Sequence, residues 1–308
     1  MRAYVIYRSF TIVIFLFTWA GFFLNCNIFL MKSSDGRCLF VNSTLSFVGT
    51  PIEQAECLLR PVKMYAHLGE KLASLPSPLD SLIGKRFDIK KSQLKEYFNS
   101  HNIREDDIGG SLSEPLSRAN NNDPDAPYAR YLIIHDTSTP NYLDEPFPPD
   151  INEKSWRFND LSRWAQGEHS KAHVFINRIG ESLTAVNFNT PWRSTKFEIR
   201  ILKSKGKGLC LNIELIQPRR RDPIGSPEND AIAPEPGFTI PQLNRLALVY
   251  IAASFRRGEW LIPAYHAAID AGIPNAHDDP QNFDLVLWAN QLGKILNEIR
   301  TTTPNQEI

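Results

Sequence analysis

Cysteine is scarce: four residues in 308, none in a Cys-x-x-Cys pair, which leaves no framework for a structural zinc knuckle. Net charge is absent too. Lys and Arg balance Asp and Glu at 34 each, so no global basic field points to nucleic acid as a partner. Histidine is held to seven residues, and the chain shows no internal repeat. What remains is globular in texture, 42% hydrophobic and 22% charged. The length suits one large domain with embellishments, or two domains.

Charge is uneven locally. Between positions 196 and 221, Lys196, Arg200, Lys203, Lys205, Lys207, Arg219, Arg220 and Arg221 face only Glu198 and Glu214. The stretch reads either as a solvated basic face or as a surface drawn to an anionic polymer or to lipid head groups.

Arg2 and Arg8 precede an apolar run from Phe10 to about Met31, broken by Asn25 and Asn27. The run is long for a signal peptide and close to the roughly 20 residues that span a bilayer. No small-x-small cleavage site follows it, and Asn25 stands where lipid attachment at Cys26 would need a small residue. Residues 1–32 are therefore expected to form an uncleaved signal anchor, with membrane anchoring through residues 10–31. A cleaved signal peptide is the alternative. Either one exports the body of the chain to the periplasmic or extracellular side, the anchor holding it at the inner membrane. In an oxidising compartment Cys38 and Cys57 could close a loop, while Cys210, within "GLCLNIEL", reads as an inert buried thiol.

Residues 33–125 read as an N-terminal helical extension. In "PIEQAECLLRPVKMYAHLGEKLASL", Ile52, Ala55, Leu58 and Leu59 recur at helical spacing, and "KSQLKEYFNSHNI" predicts a second short helix. A turn-rich connector leads to residues 126–308, where the texture changes. "ARYLIIHDTS" predicts a buried strand ending at His135, "KAHVFINRIGESLTAVNF" a hairpin turning at Arg178 to Glu181, and "GLCLNIELIQP" a third strand. Alternation puts Cys210, Asn212 and Glu214 on one face of that strand. Thr239 and Gln242 form a capping box ahead of a helix with an apolar face at Leu243, Leu246, Ala247 and Tyr250, and "LVLWANQLGKILNEI" predicts a terminal amphipathic helix. Strands mixed with helices around one central sheet give an α/β fold class.

Four residues in this half invite chemistry. His135 ends an apolar strand, where α/β proteins build sites. Glu214 interrupts another apolar strand, and a buried carboxylate needs a partner or a metal. His266 and Asp279 stand thirteen residues apart in "YHAAIDAGIPNAHDDPQNFD". Two imidazoles and one carboxylate, with a fourth position left for water, make a catalytic zinc site. A His₂-carboxylate iron site has a similar ligand set.

The order of these pieces over residues 125 to 295 resembles the zinc N-acetylmuramoyl-L-alanine amidases of the type-2 amidase and peptidoglycan-recognition-protein superfamily. The resemblance implies a Zn²⁺ held by His135, His266 and Asp279, with Glu214 as the catalytic glutamate of the muropeptide-amidase branch. Another branch places a tyrosine where this chain has Ala172. The family's lysine two residues before the third ligand is here His277, which is expected to stabilise the oxyanion. The second and third ligands stand further apart than is usual, so Ile269 to Asn275 reads as a loop insertion. That leaves His277, Asp270 or Asp278 as alternative ligands. His173 reads as structural; His67, His101 and His169 read as surface residues. The implied substrate is peptidoglycan or its muropeptides, the implied state a monomer, and the competing function a non-catalytic peptidoglycan-binding recognition protein.

Overall fold

The computed structural model describes residues 37–164 and 172–302. The apolar run at 10–31 and His169 lie outside them. Among the described residues, no helix is long and apolar enough to cross a membrane.

The chain opens with a small antiparallel hairpin, β1 (Phe40–Val41) and β2 (Ser46–Phe47), followed by α1 (Pro51–Leu58), α2 (Leu79–Leu82), α3 (Lys91–Ser100) and a single turn, α4 (Ala119–Asn122). Then come β3 (Tyr131–Asp136), β4 (Val174–Ile176), β5 (Ser182–Thr184), β6 (Cys210–Leu215), α5 (Ile240–Arg257), β7 (Ile262–Tyr265), α6 (His266–Ile269) and α7 (Leu285–Thr301). Five strands form one mixed sheet in the order β5-β4-β6-β3-β7. β4, β6, β3 and β7 run parallel, and β5 returns antiparallel to β4 as the hairpin expected from sequence. Helices flank this sheet: α5 packs on α7 and touches β4, and α1 packs on β7.

Local sequence accounts for the central elements. Every residue of β3 is buried, as suits a parallel strand covered on both faces. Helix α5 begins at the expected capping box, Thr239 with Gln242, and stops at Gly258, whose φ of 74° is the left-handed cap glycine adopts cheaply. Leu243, Leu246, Ala247 and Tyr250 are all buried. One cluster of buried apolar residues draws Leu58, Leu79 and Leu94 from before position 125 together with Ile133, Leu246 and Leu292 from after it. Tyr131, at the start of β3, fastens the two parts together. Its hydroxyl accepts a hydrogen bond from the Phe47 amide at 2.9 Å and donates to Gln54 at 2.8 Å.

Two elements depart from the sequence reading. The helix expected to run from Pro51 towards Leu75 ends at Leu58. Pro61 cannot continue it, and Tyr65 and Ala66 take left-handed backbone conformations. "IPAY" forms β7, a strand the sequence did not announce, because four residues including Pro263 carry too little pattern. Its place at the sheet edge tolerates the proline.

Cys38 and Cys57 are joined in a disulfide that pins the hairpin to α1, and Cys210 is a buried thiol. Closing a loop of this length constrains the unfolded chain by about 3 kcal/mol. The double substitution Cys38→Ser and Cys57→Ser should lower unfolding free energy by about that amount in denaturant titration. A double variant as stable as the oxidised parent would contradict this.

Candidate metal centre

The parallel strands β3, β6 and β7 end together, and the site is built on that edge. This is where open α/β sheets present ligand sites. His135 and Glu214 are direct partners across the β3–β6 ladder, so their side chains leave the same face. His266 opens α6 immediately after β7. Asp279 arrives from the loop before α7. That loop is tied down where the Ala267 amide donates to the Asp279 carbonyl at 2.9 Å and the Asp136 amide donates to the Asp279 carboxylate at 3.1 Å.

Three side-chain atoms converge. His135 Nδ1 and His266 Nδ1 are 2.9 Å apart, His266 Nδ1 lies 3.1 Å from Asp279 Oδ2, and His135 Nδ1 lies 3.7 Å from the same oxygen. A tetrahedral ion with ligands at 2.0–2.1 Å has edges of about 3.3 Å, within the spread of these separations. All three residues are buried, and the cluster could hold a metal ion.

The outer nitrogens test that fit. His135 Nε2 sits 2.9 Å from Asn212 Oδ1, and His266 Nε2 sits 3.1 Å from Asp270 Oδ2. Donation by each Nε2–H leaves both Nδ1 lone pairs facing one another. Two lone pairs at that distance repel, so the gap takes either a metal ion or a proton on His266 Nδ1, which lies 3.1 Å from Asp279 Oδ2. The outer partners are themselves anchored: Asp270 accepts from the Lys196 and Phe197 amides at 3.1 and 2.8 Å. The amide of Asn212 donates to Glu198 Oε2 at 3.5 Å, which turns its carbonyl oxygen towards His135.

Electrostatics follow from burial and these contacts. Burial and the neighbouring His266 push His135 down to about 3. Burial also opposes charge on His266, but Asp279 and Asp270 outweigh it and raise that imidazole to about 10. Burial works against ionised Asp279 as well, yet His266, His135 and His277 hold its carboxyl well below the ordinary range. Without a metal, the centre keeps one proton among anions. With one, that proton has a successor of higher charge.

Around the triad opens a cleft of about 570 Å³. Glu214, half-buried, lines it beside His135. Phe158, Arg163, Trp164 and Phe175 line it too; Phe175 is the register partner of Glu214 on β4, and Trp164 stacks on Phe175 at 6.3 Å. His277 also lines the cleft, stacked on His266 at 4.8 Å between ring centres, and burial with the nearby His266 lowers its pKa.

Two of the alternative ligands have other partners. Asp270 stands behind His266 as its hydrogen-bond partner. Asp278 turns away, accepting from the Tyr65 amide at 3.2 Å and from Gln281 Nε2 at 2.6 Å. The inserted loop between second and third ligands is held by Arg200, which donates to the Pro274 carbonyl at 3.3 Å, and by Lys196, which contacts the Asn275 carbonyl. His173 is wholly buried and accepts from the Asn212 amide at 3.0 Å, the structural role read from sequence. His67 and His101 lie at the surface.

Sequence reading missed Asn212 and Glu198 as supports, and the buried pair of Arg219 with Asp136 at 2.7 Å. Asn212 carried a signal: a polar residue in an apolar strand, on the same face as Glu214. Glu198 and Arg219 sat within a run of cations and looked like surface charge.

Outer partners of metal-bound histidines typically contribute 10–100-fold to affinity. Asn212→Ala and Asp270→Ala should each weaken zinc retention by about that factor in competitive chelator titration, with far-UV circular dichroism unchanged. Unchanged affinity in both variants would mean that the imidazoles are oriented by something else.

No protein-family profile and no curated protein matches this chain. Among solved structures, a crystal structure of a Se-Met AmpD derivative aligns at 18% identity over 58% of this chain and 92% of that one, with a TM-score of 0.32. A likeness at so low a TM-score carries no argument about function.

Proposed function

We propose that this chain is a zinc-dependent N-acetylmuramoyl-L-alanine amidase, hydrolysing the amide between the muramic acid lactyl group and L-alanine in peptidoglycan or muropeptides. The observation that carries the reading is the pair of Nδ1 atoms facing each other beside Asp279, with Glu214 in the same cleft. The family resemblance of the sequence supplies the substrate class. His135, His266 and Asp279 would hold the ion; His277 stays in the cleft wall as a hydrogen-bond donor.

When bound, zinc supplies a Lewis acid that acidifies water and polarises the amide carbonyl. Glu214, paired in register with His135, is placed to take the proton from the attacking water and deliver it to the departing amine. His277 donates to the oxyanion that develops on the carbonyl. Its lowered pKa makes that donor a neutral imidazole at neutral pH, not the cation that a lysine would provide. The aromatic residues and Arg163 that line the cleft offer stacking surface and a cation to the substrate.

Export belongs to the same proposal. A Cys38–Cys57 disulfide is a form that persists in an oxidising compartment, beside the murein the enzyme would cut.

The test is digestion of purified murein and soluble muropeptides by the zinc-loaded protein, with products read by mass spectrometry. Release of intact stem peptides beginning at L-alanine is expected. Glu214→Gln should retain zinc and lose turnover by about 10²–10⁴-fold, the usual contribution of a general base. Zinc-loaded protein that binds murein without releasing peptides would favour the recognition-protein reading. A near-normal rate in Glu214→Gln would remove that residue from the mechanism.

A further inference from the structure

Outside the cleft, one face combines exposed isoleucines with exposed cations. Residues Phe197–Leu202 form a π-helical turn that directs Glu198 and Leu202 inward. Its outer side presents Ile199 and Ile201, 48% and 54% exposed, with Arg200 between them. Lys203 and Lys205 follow, both exposed. The two carboxylates of this basic stretch are withdrawn: Glu198 is buried and Glu214 faces the cleft. What residues 196–207 offer solvent is positive charge and aliphatic surface.

The β1–β2 hairpin lies against the same turn. Phe40 and Phe47 meet the Phe197 ring at 5.0 and 5.7 Å. Leu39 and Val41, flanking Phe40, are exposed. Arg37 lies against Gly272 while Arg200 donates to Pro274 two residues on, so both cations border one loop. The chain reaches this face directly from its N-terminal segment, Arg37 following the end of the apolar run at Met31 by six positions.

We propose that this face rests on the surface of an anionic phospholipid bilayer. Aliphatic side chains among cations suit the boundary between head groups and acyl chains, where apolar burial and attraction to anionic lipid add together. Each Lys or Arg near such a surface raises partitioning by roughly fivefold. The anchor expected at residues 10–31 stands close in sequence to this face, and the charge selects the anionic lipid. Because the loop at 272–275 leads to His277, the cleft would open beside the bilayer surface.

The experiment uses the full-length protein with the photoreactive residue p-benzoylphenylalanine at position 201 or, as a control, at position 224. Ile224 is 94% exposed on the proline-rich loop. Each protein is irradiated in phosphatidylglycerol-rich and in phosphatidylcholine liposomes, and adducts are read by mass spectrometry. Position 201 should yield lipid adducts at least fivefold above position 224 in the anionic liposomes. Adding Lys203→Glu with Lys205→Glu should bring the yield down to the control. Equal yields at the two positions, or a yield indifferent to lipid charge and to the double substitution, would overturn the proposal. Loss of binding to isolated murein in the Lys203→Glu, Lys205→Glu protein, with no lipid adduct in the parent, would overturn it in favour of an anionic polymer.

Discussion

Two imidazole nitrogens facing each other at 2.9 Å, with a carboxylate beside them, need a proton or a metal ion to reconcile them. Much of the buried polarity near this edge of the sheet serves to keep them there. Asn212 and Asp270 occupy the outer nitrogens, so neither ring can turn its lone pair elsewhere. Asp279 adds the negative charge that makes a cation welcome, and the Asp136 amide fixes its carboxylate. Desolvating these groups is costly, and the cost is recovered when the cluster is satisfied as a whole. A proton on His266 satisfies the cluster in one way, and a metal ion held by His135, His266 and Asp279 would satisfy it in another.

The fold supplies the precision. His135 meets His266, 131 residues further on, because β3 and β7 run side by side, and β3 and β6 each carry a candidate site residue one place before their last. β3 and β7 are wholly buried, α1 packs on β7 and α5 touches the neighbouring β4, so these strand ends are set within a packed core. Asp279 comes from a loop, and the loop is braced accordingly. Asp278 beside it is held by Tyr65, which ties the third ligand's neighbourhood to the N-terminal part of the chain. Arg219 and Asp136 make a fully buried ion pair behind the same loop. Burial pushes Asp136 up to about 7 against the pull of Arg219.

Much of this was legible in the sequence where a residue broke its local pattern. His135 at the end of an apolar strand, Glu214 within another, and the capping box at Thr239 all announced themselves by contrast. The supports were harder to see. Glu198 and Asp270 gain their meaning as supports only from tertiary contacts, which bring Glu198 to Asn212 and Asp270 to His266. Burial pushes Glu198 up to about 7 against hydrogen bonds from Ser194 and Thr195. The N-terminal helix was over-extended because apolar spacing persists through Leu75, while Pro61 and two left-handed residues decide the backbone. β7 was missed because a four-residue edge strand has almost no period to read.

Everything proposed for the cleft depends on what occupies the space between His135, His266 and Asp279. Anomalous scattering measured on both sides of the zinc absorption edge, from crystals of the zinc-reconstituted protein, locates the ion without reference to activity. One strong peak is expected about 2.0–2.2 Å from His135 Nδ1, His266 Nδ1 and an Asp279 oxygen. A peak coordinated by His277 or Asp270 in place of these atoms, or no peak in this cluster, would contradict the assignment.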